Sequence, residues 1–320
     1  MIGRAALALS ALILTASIAA PWRWSQPAGV AAPMVPADNP MSAAKVALGR
    51  RLFYDADLSI DGTMSCASCH EQKHAFADSN PTRPGGHGDA GRRNVLGLAN
   101  VAWLPILTAA DPRVTTLEAQ AMIPISGLTP VEMGMHGSEQ EIPRRLSRDT
   151  CYRRQFRAAF PDRRGRIDMT SVAMALASFE RSLMSFNTPA DRGTLSREAR
   201  AGKAVFSRSC ASCHSGANFT DGRFHAILPV NQSDRGLAEA TGRAGDEGRF
   251  RTAALRNVAV TGPWFHDGSA RTLRDAIVRH PVALDAADTD RLLAYLEALT
   301  DRNFIENPAF AYPDDPCGSK

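Results

Sequence analysis

A chain of 320 residues, 44% hydrophobic and 22% charged, has room for about two ordinary domains and too much apolar content for a disordered polymer. Its 37 Lys and Arg against 33 Asp and Glu leave a formal charge of +4, an excess too small to make nucleic acid the expected ligand. Six cysteines are too sparse for a disulfide-held scaffold of this length, so their positions carry the information.

Read from the start, residues 1–19 form a signal peptide: Arg4 gives the positive end, Ala5 to Ala19 carry no charge, and Ser17 and Ala19 are small residues at the spacing of a cleavage site. The apolar run is short of the roughly 20 residues a membrane span needs, so export to the periplasm with cleavage after Ala19 is expected, and no membrane span in the mature form. Residues 20–40, with Pro21, Pro27, Pro33, Pro36 and Pro40, read as an extended leader. Ser42 is placed to cap a helix running through Phe53. Asp78 to Arg93 is a polar loop without periodicity. Ser138 and Glu141 have the spacing of a capping box for a short helix. A longer helix is expected from Thr170, with Val172, Leu176, Phe179 and Leu183 in one apolar stripe. Ser196 is placed to cap a helix through Phe206, Thr272 with Asp275 another, and Leu292, Leu293, Leu296 and Leu299 line the last helix before a loop-like tail. No alternating apolar run is long enough for a sheet, so the expected fold is mostly α with long loops.

The chain also repeats itself. GRRLF at 49–53 precedes CASCH at 66–70, and GKAVF at 202–206 precedes a second CASCH at 210–214. Arg-Asn-Val follows at 93–95 and 256–258, and Thr-Leu at 116–117 and 272–273. Two similar halves, residues 41–190 and 191–320, account for this, with the boundary in the Asn187–Leu195 stretch that holds Pro189 and Gly193. Cys-x-x-Cys-His is the attachment signature of c-type haem: two thiols add to the porphyrin vinyl groups and the adjacent histidine ligates the iron. Cys66, Cys69 and His70 would hold one haem, and Cys210, Cys213 and His214 the other. A zinc site would bring its cysteine pairs closer in sequence, and a redox pair would sit in a βαβ context that is missing here. What binds the sixth position of each iron then decides between chemistry and plain electron transfer. The candidates are His74, His87, His136, His225, His266, His280 and the ten methionines.

Several strings carry a family resemblance: TLEAQAMIP at 116–124, PVEMG at 130–134, ALASFERSL at 175–183 and RFRTAALRNVAVTGPWFHDGSARTL at 249–273. In this order, and over nearly the whole chain from Pro36, they resemble the bacterial dihaem cytochrome c peroxidases and MauG-type enzymes. PADNPMSAAKVALGRRLFYD at 36–55 and LTDRNFIENPAF at 299–310 look most like the subgroup containing MbnH, associated with oxidising a tryptophan on a partner protein. The resemblance implies two cytochrome c-like haem domains, with the His70 haem reacting with hydrogen peroxide and Gln120 and Glu132 in its distal pocket, Glu132 moving a proton during O–O cleavage. It implies a calcium site between the haems from Asn94, Thr261 and Pro263. It also implies a second axial ligand for the C-terminal haem eight residues after Thr272. This is the position of His280, where peroxidases of the family have Met and MauG has Tyr. Imidazole there lowers the potential relative to a thioether, which suits sharing oxidising equivalents better than storing one electron. Ala109 occupies the place of an inter-haem Trp of many relatives, and nearby Trp103 reads as core packing. His87 lies where some relatives carry a removable iron ligand; the subgroup points to an open site instead. Cys151 and Cys317 belong to neither haem motif and either form one disulfide tying the tail to the first half or stay as free thiols.

The expected function is therefore peroxide-driven oxidation of a protein partner, by an exported dihaem oxidoreductase. The alternatives are a peroxidase that detoxifies peroxide with electrons from a small cytochrome or cupredoxin, and a dihaem electron carrier without catalysis.

Overall fold

The computed structural model describes residues 22–227, 233–314 and 317; the expected signal peptide lies outside the described residues. Eleven α-helices are present among them: α1 (Ala43–Phe53), α2 (Cys66–Cys69), α3 (Leu117–Ser126), α4 (Glu141–Leu146), α5 (Thr150–Ala159), α6 (Met169–Arg181), α7 (Arg197–Ser209), α8 (Ala238–Thr241), α9 (Leu273–Val278), α10 (Ala286–Glu297) and α11 (Arg302–Ile305). Among the described residues the sheet content is one antiparallel pair, β1 (Phe224–His225) and β2 (Phe250–Arg251). The mostly helical expectation holds. No described helix is long and apolar enough to cross a membrane.

Helix starts follow the side chains that can satisfy free N–H groups. Ser42 Oγ accepts from Lys45 N (3.2 Å), Ser196 Oγ from Ala199 N (3.0 Å), and Thr272 Oγ1 from Asp275 N (3.0 Å), as the sequence suggests. Two starts differ. α6 is capped by Asp168, which accepts from Ser171 N (2.8 Å) while Ser171 Oγ accepts from Asp168 N (3.1 Å), so this reciprocal box sets the start and Thr170 is already inside the helix. Ser138 is not a cap: its carbonyl accepts from Glu141 N (2.9 Å) in a turn, α4 starts after Gln140, and the Glu141 carboxylate pairs with Arg144 instead (2.8 Å). α7 continues past Phe206 to Ser209, and one more short helix, α11, follows Leu299.

The repeat has a packing reason. α1 crosses α6 and α7 crosses α10, and each crossing is tightest at a helical glycine. A Cβ on Gly49 would run into the Ala175 carbonyl, and one on Gly202 into the Arg291 carbonyl. The GRRLF and GKAVF strings therefore mark the same event, a helix pair crossing in backbone contact. The Arg-Asn-Val match needs a correction of register. Asn257 pairs structurally with Asn100, not Asn94: both sit at positive φ (62° and 55°) and head the one-turn 3-10 helices Val258–Val260 and Val101–Trp103. The shared string is Asn-Val-Ala.

Two apolar clusters form. One gathers α1, α3, α4, α5 and α6 around Phe53, Phe76, Phe156 and Phe179; the other gathers α7 and α10 around Phe206, Tyr295 and Leu296. Phe304 and Phe310 pack with the first cluster, so the tail returns from the second half to the first. Cys151 of α5 and Cys317 form a disulfide (Cα–Cα 5.8 Å) that fastens this return, which settles the sequence alternative. Where the halves meet, a buried polar network closes on itself. Asn100 Nδ2 donates to Ser185 O (2.9 Å) and Asn218 Oδ1 (3.0 Å), Asn257 Nδ2 to Ser185 Oγ (3.0 Å), and Asp301 N to Asn257 Oδ1 (2.8 Å). The leader, although without regular structure, is docked. Asn39 is fully buried and donates to Met174 O (3.0 Å) and Glu118 Oε1 (2.6 Å), and Ala31 O accepts from Trp103 Nε1 (2.8 Å).

Candidate haem centres

Both CxxCH segments close in the same way. The N–H of the histidine donates to the carbonyl of the first cysteine, His70 to Cys66 (2.9 Å) and His214 to Cys210 (2.9 Å), so both sulfurs and the imidazole converge on one side of a single turn. Each imidazole is then fixed by a phenylalanine carbonyl. His70 Nδ1 lies 2.6 Å from Phe76 O, and His214 Nδ1 lies 3.1 Å from Phe219 O. Phe76 and Phe219 both adopt left-handed backbone (φ 61° and 54°), a conformation that costs a bulky residue about 1–3 kcal/mol and aims the carbonyl back at the histidine. With Nδ1 engaged, Nε2 is the nitrogen left for a metal, the arrangement that orients a ligating histidine. Burial pushes the pKa of both imidazoles down, which keeps them in the neutral, ligand-competent form. Burial also raises the thiols of Cys66, Cys69 (to about 11) and Cys210, the reverse of the depressed values that mark a redox-active pair.

The second-half cavity can be tested for fit. It is a space of about 450 Å³ with Cys210, Cys213 and His214 on its wall and Phe206, Trp264, Ile277 and Leu296 among its apolar lining. His280, just past α9, also lines it, with its Nδ1 2.7 Å from Ala276 O. The rings of His214 and His280 are 6.4 Å apart, centre to centre. Two imidazoles sharing one metal at bonds of about 2 Å need ring centres about 6 Å apart, so the pair is spaced to hold an iron between them. Two further lining residues fit an anionic porphyrin. Arg251 is buried and bonds only carbonyls, Thr108 O (3.0 Å) and Thr252 O (3.3 Å); it makes no ion pair among the described residues, and burial pushes its pKa down to about 10. His266, stacked on Phe250 at 3.7 Å, has a buried Nε2 without a partner. Arg251 did not stand out in the sequence, whereas His266 was there one of the candidate sixth ligands; both lie inside the 249–273 string. Cys213, Asp221 and His225 cluster closely enough to suggest a metal, but Cys213 belongs to the haem motif and His225 Nε2 is bound to Asp221 Oδ2 (2.8 Å).

In the first half the expected distal residue Glu132 sits on a backbone segment close to the attachment cysteines. Residues 131–135 are pinned from three sides: Val131 N donates to Asp89 Oδ2 (3.1 Å), Met133 N to Pro124 O of α3 (2.9 Å), and Ile60 N and Gly86 N donate to Met133 O (2.9 Å) and Glu132 O (2.6 Å). Glu132 therefore has a fixed base. Its side chain reaches solvent but is flanked by enough protein for desolvation to push its pKa up, and its charge is felt at both Cys66 and Cys69. Gln120 lies half-buried on α3, the helix that supports this segment. His87 packs on the same segment, where a Cβ on Gly134 would meet its Nε2 at 2.9 Å. Beside Cys69, Arg83 clasps the buried Asp78 through Nε (2.6 Å) and Nη2 (2.9 Å). Burial opposes ionisation of Asp78, but the guanidinium and the Asn80 N–H outweigh it and hold the carboxyl low. Glu180, within the 175–183 string, is a residue the sequence reading passed over. It is buried near Cys66 with one carboxyl oxygen unpartnered, and burial pushes it up to about 8, with Arg181 opposing and Glu118 adding.

Asn94, Thr261 and Pro263 all line one edge of the second cavity. Asn94 Nδ2 donates to Asn80 O (3.2 Å) and Pro81 O (3.1 Å), and Thr261 Oγ1 to Val258 O (3.2 Å). Trp103 is not a core residue: it is half-buried against Trp24 and Phe186.

Residues 43–199 match the family model of di-haem cytochrome c peroxidase, and residues 199–300 that of cytochrome c. The methylamine utilization protein MauG of Methylophilus methylotrophus is 35% identical over 269 residues, 81% of this chain and 77% of that protein. The cytochrome c551 peroxidase of Pseudomonas aeruginosa is 29% identical over 307 residues, 88% of this chain and 85% of that protein. Among solved structures, a MauG-like protein associated with microbial copper homeostasis superposes with a TM-score of 0.87 at 33% identity, over 91% of this chain and 99% of that one.

Proposed function

The chain belongs to the di-haem cytochrome c peroxidase and MauG family, and from that premise we propose that it is an exported, periplasmic enzyme that uses hydrogen peroxide to oxidise a side chain on a protein partner. It is a dihaem peroxidase-type oxidoreductase with two c-type haems. Bound haem supplies the iron and the conjugated ring that take up the oxidising power of peroxide. The chain's own residues do the rest. His70, fixed by Phe76 O, would hold the first iron. Glu132 as carboxylate would take a proton from one peroxide oxygen and return it to the other, so that water can leave, while the Gln120 amide would orient the peroxide. His87 packs against Gly134 and on this reading would not ligate the first iron. His214 and His280 would hold the second haem iron, and Arg251 and His266 would be available to its carboxylates. Asn94, through its side-chain oxygen, and Thr261 and Pro263, through carbonyls, would hold a calcium ion.

The spacing of His214 and His280 carries this reading. A methionine opposite His214 would favour ferrous iron and an electron store, whereas two imidazoles favour the ferric state and suit oxidation starting from the fully oxidised enzyme. Low-temperature electron paramagnetic resonance of the diferric protein tests it. One high-spin signal and one low-spin bis-imidazole signal are expected, with the low-spin signal altered in His280→Met and peroxide consumed without prior reduction. An unchanged spectrum in the variant removes His280 as a ligand. A requirement for a half-reduced form identifies a detoxifying peroxidase, and two low-spin irons inert to peroxide an electron carrier.

A further inference from the structure

Four tryptophans occur in the chain, and three of them stand in a row. Trp22 and Trp24 are edge-to-face at 5.9 Å, and Trp24 and Trp103 at 6.1 Å. The row continues inward. Trp103 meets Phe186 edge-on at 5.2 Å, and the Arg256 guanidinium lies over Phe186 (4.7 Å) and over Phe219 (5.6 Å), whose carbonyl holds His214. Leu104, next in the chain, lines the second haem cavity. Trp22 and Trp24 alternate with exposed Arg23 and Ser25, so both indoles turn toward the body while the backbone stays at the surface.

Resting on the peroxide reading above, we infer that Trp103, Trp24 and Trp22 carry oxidising equivalents from the second haem cavity to the surface, where the docked leader presents them to the partner. Indole suits this task because it can lose an electron and persist as a radical cation. A phenol must give up its proton at the same time. The competing aromatic row, from His70 through Phe53 and Tyr54 to exposed Tyr312, lacks that proton acceptor: the Tyr54 hydroxyl donates to the Phe310 carbonyl (2.8 Å), and burial pushes its pKa up to about 12. Each indole passes one electron inward and is refilled from the next one outward. Two electrons and two protons reduce one hydrogen peroxide to two waters, and the partner supplies both. With no partner present, the outer indoles supply them: a ring C–H is replaced by C–OH with oxygen from water, a gain of one oxygen atom.

The test treats the haem-loaded protein with hydrogen peroxide in the absence of partner and maps added oxygen by peptide mass spectrometry. The Soret band reports separately whether the haem reacted. Oxygen is expected on Trp22 and Trp24, absent when haem-free protein receives the same peroxide. The Trp22 signal should fall severalfold in Trp103→Phe and in Trp24→Phe, the second of which lies outside both apolar clusters. Equal labelling in the variants or in haem-free protein overturns the proposal, as does oxygen on Tyr312 with none on Trp22 or Trp24, or a Soret change with both indoles untouched. A Soret band that does not respond to peroxide at all overturns the peroxide reading and this inference together.

Discussion

The two halves hold their CxxCH histidines with one device and surround them differently. In both, a helix pair crosses at a glycine, the histidine N–H closes on the first cysteine, and a left-handed phenylalanine carbonyl fixes Nδ1. The difference lies in what accompanies that unit. In the first half a pinned segment carrying Glu132 lies near the attachment cysteines; in the second His280, at the end of α9, stands across from His214. An attachment unit can thus be kept while its surroundings are rebuilt, and on the proposed function those surroundings decide whether the centre reacts or relays.

The largest effect that would sharpen this contrast is expected from Glu132→Gln. If Glu132 shuttles the proton as proposed, its loss should slow peroxide reaction by about 10²–10⁴-fold. The low-spin signal of the second half should stay as it was. The pH profile gives the sign independently. Glu132 must be ionised to accept a proton, and desolvation sets its pKa above the ordinary carboxylate value. The rate should therefore fall as pH drops, beginning at a higher pH than a free glutamate would give, and this acid limb should vanish in the variant. Stopped-flow traces across pH measure both. An unchanged rate in Glu132→Gln would remove the chemical distinction between the two surroundings.

That distinction was only partly legible in the sequence. The attachment residues were, because two thiols and an imidazole within five positions admit few other uses. The stripe through Val172, Leu176 and Phe179 was also legible, since a helical period survives whatever packs against it. Arg251 was not, and His266 only as one of six candidate histidines: a lone arginine or histidine reads as solvated until the structure shows it buried without a counter-charge or an acceptor. The equivalence of Asn100 and Asn257 was hidden for another reason. Asn-Val occurs at 94–95 as well as at 100–101, and only the backbone angle tells which copy turns the chain. The return of Phe304 to the first core and the docking of the leader depend on contacts between residues far apart in the chain, which no local pattern encodes.

A smaller effect probes the shared frame. Gly49→Ala and Gly202→Ala each gain about 1 kcal/mol of helix propensity. Each also drives a methyl into a backbone carbonyl of the partner helix, a group that cannot step aside as a side chain can. Overpacking of this kind costs roughly 1–3 kcal/mol or more, so the clash should win and both variants should be less stable. Thermal melts of the two proteins measure this. Similar losses support equivalent crossings; stability gained by one and lost by the other would show that the repeat in sequence is not a repeat in packing.

The smallest effect asks whether the halves unfold separately. Ser42→Ala and Ser196→Ala remove the caps of α1 and α7, bonds of 3.2 and 3.0 Å, at a cost of about 1 kcal/mol each. For halves of this size that corresponds to about 2–8 °C in Tm if each melts alone. The contacts between the halves argue against separate melting. The network through Asn100, Ser185, Asn257 and Asp301 satisfies its buried groups only when both halves are in place, and Phe304 completes the first core from beyond the second. Breaking one half strands polar atoms of the other, a penalty of about 1–3 kcal/mol for each unsatisfied group, which exceeds the loss of either cap. A single calorimetric transition is therefore expected, displaced by similar amounts in the two variants. Two transitions, each moved by only one variant, would mean that the interface network does not couple the haem domains.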